Sequence, residues 1–124
     1  MKLYYSPGAC SLSPHIALRE AGIAHELIKV DLDKHTLPDG SDFRTINPRG
    51  YVPVLVLDDG QLLTEGPAIV QYIADSASVA GLAPQAGTLA RHRLQEWLAF
   101  VSSELHQSLG PLFNPRLHAS SRDA

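Results

Sequence analysis

The sequence contains a single cysteine in 124 residues. One cysteine cannot close an internal disulfide, which fits a reducing compartment and makes the cytoplasm the expected location. No apolar run approaches the roughly 20 residues needed to span a bilayer. The N-terminal "MKLYYSPG" has no apolar core before its Pro-Gly pair and does not read as a signal peptide. There is no run of Lys or Arg, and a net charge of −3 offers no footprint for nucleic acid or an anionic membrane. Apart from His106, treated below, the histidines show no H-x-H, H-E-x-x-H or cysteine-paired spacing, so no metal is expected. A phosphate-binding glycine loop, a nucleophile elbow, internal repeats and low-complexity tracts are absent as well. At 44% hydrophobic and 19% charged residues, the chain reads as soluble and globular. Its length suits one ordinary domain, or one small domain plus part of another.

What is present has an order. "KLYY" (2–5) is a short β-rich run closed by Pro7 and Gly8. Leu12, Ile16 and Leu18 follow at helical spacing, with Gly22 as a stop. Pro14 has to sit in that helix's first turn, which puts its start near Cys10–Ser13. "HELIKVDL" (25–32) reads as a half-buried strand, and residues 33–50 as a polar connection with one helical turn near Phe43–Ile46. "VPVLVLDDGQLLTEG" (52–66) reads as two strands joined at Asp58-Asp59-Gly60. Pro67 is expected at the first position of the next helix, whose apolar face is Ile69, Val70, Ile73 and Ala74. Residues 77–88 read as a linker. Leu94, Trp97, Leu98, Val101 and Leu105 then form a helical stripe expected to stop at Gly110-Pro111. A β-α-β unit requires parallel strands and the DDG turn makes the later pair antiparallel. The expected fold class is therefore α/β, with a mixed four-stranded sheet in the thioredoxin-like arrangement.

Several residues could carry chemistry. Cys10 lies where a strand gives way to a helix, and open N–H groups and the helix dipole there would favour a nucleophilic thiolate. A lone cysteine is otherwise a small buried hydrophobe; the Pro-Gly pair before it and the helix start after it favour a presented thiol. In "CSLS" the position of a resolving thiol holds Ser13, so a disulfide made at Cys10 needs an outside thiol to break it. Tyr5 and Ser11 are nearby hydroxyls that could donate to a thiolate, Ser11 being equally a helix cap. In "NPRGYVP" (47–53), the Val52–Pro53 step opens a strand. It is either an ordinary trans start or a cis bond that frees the Val52 backbone for an extended peptide-like ligand, and the stretch alone favours trans. In "TEGP" (64–67), Glu65 and Gly66 stand before a helix N-terminus. They either cap it or hold the ammonium and carboxylate of a ligand. His106, three or four residues from Ser102 and Ser103, reads by itself as a surface histidine.

In sequence order, Tyr5, "SPGACSL", "INPRGYVPVL", "DDGQLLTEGPAIVQYIAD", "RLQEWLAFVSSELH" and "PLF" resemble the bacterial beta-class glutathione transferases, from Met1 to about Pro115. The order and spacing of the set make the resemblance specific. It implies a thioredoxin-like glutathione-binding domain over 1–76, the linker 77–88, and an incomplete all-helical domain over 89–124. Position by position, it implies that Cys10 faces the glutathione sulphur, and that Val52, beside a cis Pro53, pairs with the cysteinyl backbone. Glu65 and Gly66 would hold the γ-glutamyl end, with Tyr5 also at the glutathione site. Ser103, Glu104, Leu105 and His106 would lie on the helix that closes the site, His106 stabilising a sulphur anion. His35 stands where a lysine is usual, which would weaken the grip on the glycine carboxylate at neutral pH. Ala99 replaces an amide and Gln107 a basic residue. The family continues through several more helices past the point where this sequence ends in "LHASSRDA". The helical stripe is therefore expected to lack partners and to drive self-association, consistent with a homodimer.

The implied activity is attack by bound glutathione on a small soft electrophile or a disulfide, together with a Cys10–glutathione mixed disulfide. The partners are glutathione and that second substrate, with no nucleic acid and no membrane. The alternative is a non-catalytic binding or dimerisation module on the same fold. Such modules commonly lack the thiol and glutathione-holding residues, whereas Cys10, Pro53, Glu65 and His106 are in place here.

Overall fold

The computed structural model describes residues 1–77 and 81–113. Residues 78–80 of the expected linker and 114–124 of the expected helical domain lie outside the described residues. The chain divides into two compact units, Met1–Ala83 and Pro84–Ala124.

The first unit runs β1 (Lys2–Tyr5), α1 (Leu12–Glu20), β2 (Glu26–Lys29), a 3₁₀ turn (Phe43–Thr45), β3 (Val54–Val56), β4 (Leu62–Thr64) and α2 (Gly66–Ser76). The sheet order is β2-β1-β3-β4. β1 and β2 are parallel, with Leu3 opposite Leu27, because α1 carries the chain back to the end of the sheet where β1 began. β3 is antiparallel to β1 and, through the Asp58–Gly60 turn, to β4. This is the expected thioredoxin-like sheet.

The two-residue period of β1 and β3 divides the core. Leu3 and Leu55 point to one face and pack with Leu18 of α1 and Ile69 and Ile73 of α2. Tyr4 and Val54 point to the other and pack with Val30, Phe43 and Val52. The polar connection serves as a lid on that second face. It is held by the Asp42 carboxylate, which accepts from the Arg44 backbone N–H at 2.8 Å and caps the 3₁₀ turn that buries Phe43.

The second unit is helical. Thr88 caps α3 (Leu89–Phe100), its hydroxyl accepting from the Arg91 N–H at 3.2 Å. The helix widens into a π-helical turn (Val101–His106), then continues as α4 (Gln107–Leu109) and a 3₁₀ turn (Gly110–Phe113). The α-helix ends at Leu109 with Gly110 as its C-cap, at the expected Gly110-Pro111 stop, and a 3₁₀ turn follows. Gly110 keeps a right-handed helical conformation, φ −49° and ψ −45°, and Pro111 falls in the first turn of a new segment, where its missing N–H breaks no bond. No helix among the described residues is long and apolar enough to cross a membrane.

Candidate functional site

The β1–α1 junction turns through Pro7-Gly8 so that Ala9 and Cys10 accept the first helical hydrogen bonds, from Leu12 and Ser13 at 3.1 and 3.3 Å. Cys10 as a residue is exposed, yet its thiol donates to the Val52 carbonyl at 3.3 Å. Desolvation of the sulphur pushes the Cys10 thiol above its ordinary value, and the Glu65 carboxylate adds to the rise; the backbone N–H groups of Cys10 and Ser11 oppose it. The expectation of a favoured thiolate is thereby corrected. The helix-start donors are present, but they are outweighed by partial burial and a nearby negative charge. At neutral pH the resting group is a thiol with an accepting carbonyl.

Ser11 takes neither role that its position suggests. It occupies the N-cap position, but its side chain makes no capping bond. The buried hydroxyl instead donates to the Ser6 carbonyl at 3.2 Å and accepts from the Ser6 N–H at 3.1 Å, clasping the turn that carries Cys10. Tyr5 packs against the helix-side core cluster, its ring 6.3 Å from that of His15.

The second wall of the site is the loop 47–53. Buried Asn47 organises it: the side-chain amide donates to the Tyr51 carbonyl at 2.8 Å, the side-chain oxygen accepts from the Arg49 N–H at 3.3 Å, and its own carbonyl accepts from the Gly50 N–H at 2.8 Å. The Val52–Pro53 bond is cis, as the family resemblance implies and contrary to the reading of that stretch alone. The sheet ladders end at Val54, so Val52 lies beyond the paired part of β3 and its carbonyl meets the Cys10 thiol.

The third wall is the start of α2. Glu65 has φ +70°, a left-handed conformation uncommon outside glycine. Its backbone carbonyl accepts from Ala68 and Ile69 at 3.1 and 3.0 Å, while its side chain makes no capping bond. The carboxylate pairs instead with the Arg49 guanidinium at 3.4 Å. The cap is therefore a backbone one, and the acidic group is turned to another charge. Gly66, rather than Pro67, is the first helical residue. Pro67 is tolerated one place further in because the second N–H of a helix has no intrahelical partner either.

His35 also has a left-handed backbone, φ +54°, and its Nδ1 is buried without a hydrogen-bond partner. The ring sits over Gly50, where an added Cβ would lie 2.7 Å from that nitrogen. Glycine at 50 serves this close approach as well as its φ of +71°.

Ser103, Glu104, Leu105 and His106 lie in the π-helical turn of the second unit, all exposed. Ser102 and Ser103 donate to the Leu98 and Ala99 carbonyls at 2.8 and 2.9 Å. Both hydroxyls bond back onto the turn that precedes the widened one. An α-helical spacing from Ser102 and Ser103 to His106 does not hold across the widened turn. Sequence reasoning also missed Asn47 and Arg49, of which only the turn-forming Asn-Pro pair gives any local warning. Among the described residues no three His, Cys, Asp or Glu side chains gather as a metal site.

The family description "Glutathione S-transferase, N-terminal domain" matches residues 8–76. Glutathione S-transferase GstA of Escherichia coli O157:H7 is 50% identical over 115 residues, 93% of this chain and 57% of that protein. The structure of BphK, a bacterial glutathione S-transferase solved as a ternary complex, superposes with a TM-score of 0.91 at 58% identity, over 99% of this chain and 64% of that one. A sphingomonad glutathione S-transferase complexed with glutathione gives 0.90 at 56% identity, over 93% and 57%. The chain thus spans rather more than half the length of these relatives. Cys10, Val52, cis Pro53 and the Glu65–Gly66 helix start sit on a thioredoxin-like sheet of matching sequence, and the chain belongs to the glutathione S-transferase family, on its bacterial beta-class-like branch.

Proposed function

We propose that the chain carries the glutathione-binding half of a glutathione transferase acting on soft electrophiles and disulfides, and that Cys10 forms a mixed disulfide with glutathione. The observation that carries this reading is the Cys10 thiol resting 3.3 Å from the Val52 carbonyl, beyond the end of the β3 ladder. An extended peptide pairing with Val52 competes with the thiol for that carbonyl and releases the thiol toward the ligand sulphur. Glu65 then takes the γ-glutamyl ammonium, with the Gly66 N–H beside it. Tyr5 and Pro53 complete the floor, and His35 serves the glycine end. By family resemblance, Ser103, Glu104, Leu105 and His106 contribute from the helical part, His106 as a donor to a sulphur anion, and the complete assembly is a homodimer.

In conjugation the glutathione sulphur loses its proton to solvent and attacks the electrophilic carbon, and the bond to the leaving group breaks with its electron pair, as chloride departs from chlorodinitrobenzene. With oxidised glutathione, Cys10 loses its proton, its sulphur attacks one sulphur of the disulfide, the old S–S bond breaks, and the second glutathione leaves as a thiolate. Ser13 cannot resolve the product, so one glutathione stays attached. Intact-mass analysis after incubation with oxidised glutathione should show a single adduct that a reductant removes and that Cys10→Ala abolishes. A wild-type chain left unmodified after long incubation would sink the thiol role. Conjugation of chlorodinitrobenzene separates an enzyme from a binding module.

A further inference from the structure

We infer that Arg49 is a specificity residue of this site, one that holds the α-carboxylate of the γ-glutamyl group; this rests on the glutathione-binding reading above. The α2 N-terminus has few donors to offer an incoming carboxylate. Pro67 has no N–H, and those of Ala68 and Ile69 are bonded to the Glu65 carbonyl. That leaves the N–H of Gly66, a residue with no side chain to add a second donor. A carboxylate held by one neutral N–H on an exposed surface is weakly held. The missing donor is already nearby. Arg49 Nη1 lies 3.4 Å from Glu65 Oε1, with both side chains largely exposed.

The pair matches the amino-acid head of the ligand charge for charge. On binding, the α-ammonium replaces Arg49 at Glu65, and Arg49 swings to the α-carboxylate, where its planar fork complements the Gly66 N–H. One exposed ion pair becomes two, with no charge left alone. The loop geometry keeps Arg49 at this place in the turn: its backbone N–H is bonded to the Asn47 side chain, and the next residue's N–H to the Asn47 carbonyl. Arg49 therefore distinguishes a γ-glutamyl group from an otherwise identical amine lacking the α-carboxylate.

The test is calorimetric titration of the chain with reduced glutathione and with 4-aminobutanoyl-cysteinylglycine, which keeps the ammonium and lacks the α-carboxylate. Arg49→Gln should weaken glutathione binding about fivefold and leave the analogue within about a factor of two, as expected for one exposed charge-assisted contact. Arg49→Lys should recover part of the loss. Equal weakening of both ligands, or of neither, would overturn the assignment of Arg49 and leave the glutathione reading standing. A wild-type chain that binds neither peptide would overturn the glutathione reading and this assignment with it. Thermal unfolding of each variant checks that the fold is unchanged.

Discussion

The two units use apolar side chains in opposite ways. In the first, Leu3, Leu18, Leu55, Ile69 and Ile73 form one buried cluster, and Tyr4, Val30, Phe43, Val52 and Val54 another on the opposite face of the sheet. In the described part of the second, Arg91 is the one buried residue. Trp97 is 66% exposed, and Phe100, Val101, Leu105, Leu109, Leu112 and Phe113 are exposed with it. Both regions have amphipathic sequence patterns, but burial requires a facing surface, which the sheet supplies within the first unit. An apolar stripe therefore states what a helix can bury, and its packing states what it does bury.

The sharpest way to break this contrast is to truncate one residue on each side. Leu18→Ala leaves a cavity between α1 and the sheet and should cost about 2–5 kcal/mol. Trp97→Ala should cost under about 0.5 kcal/mol despite removing a larger side chain. Urea unfolding of both variants, followed by circular dichroism, checks the pair; comparable losses would mean that the helix stripe is packed in solution.

A smaller effect is expected at the loop beside the second cluster. Gly50→Ala combines a φ of +71° with a Cβ 2.7 Å from His35 Nδ1. It should destabilise the first unit by about 1–3 kcal/mol. Gly110→Ala in the second unit, at a right-handed position with open space around it, should be neutral or slightly stabilising by the same unfolding assay.

The chemistry of the first unit has a pH signature. The Cys10 thiol is raised by desolvation first and by Glu65 second. The reacting thiolate is thus a minor form at neutral pH, and adduct formation with oxidised glutathione should accelerate about tenfold per pH unit between about pH 7 and 8.5. Rates from timed mass spectra test this; a flat profile would mean that the thiolate is already formed. Glu65→Gln removes a neighbouring negative charge and should raise the rate at pH 7 with a small neutral disulfide such as hydroxyethyl disulfide, which does not use the γ-glutamyl contact.

The smallest expected effect is at Asp42. Hydrogen bonds from the Arg44 side chain and then its backbone N–H hold this carboxyl at about 2, below its usual 3.8. A depressed folded-state value means that its contribution to the lid is complete above the unfolded value and lost as pH falls through about 2. Its carboxyl carbon chemical shift, followed by NMR, should show that low midpoint.

Much of the first unit was legible because its signals are local. Alternating apolar residues marked the strands, Asp58-Asp59-Gly60 the hairpin, Pro14 and Gly22 the limits of α1, and Phe43 the lid turn. Each depends on backbone geometry that neighbouring residues impose. The position of Cys10 at a helix start was readable for the same reason. Its ionisation was not. It depends first on desolvation by burial and then on the Glu65 carboxylate, 55 positions away in the chain, both of which reach the sulphur only after the sheet has formed. The Arg49–Glu65 pair, the clasp of Ser11 on Ser6 and the seat of His35 over Gly50 were hidden likewise, since a sequence does not say which polar groups will face one another. Chain-local sterics and hydrophobic period settled the elements and their order. Charge proximity, desolvation and close approach, which act through space, were decided by the tertiary structure.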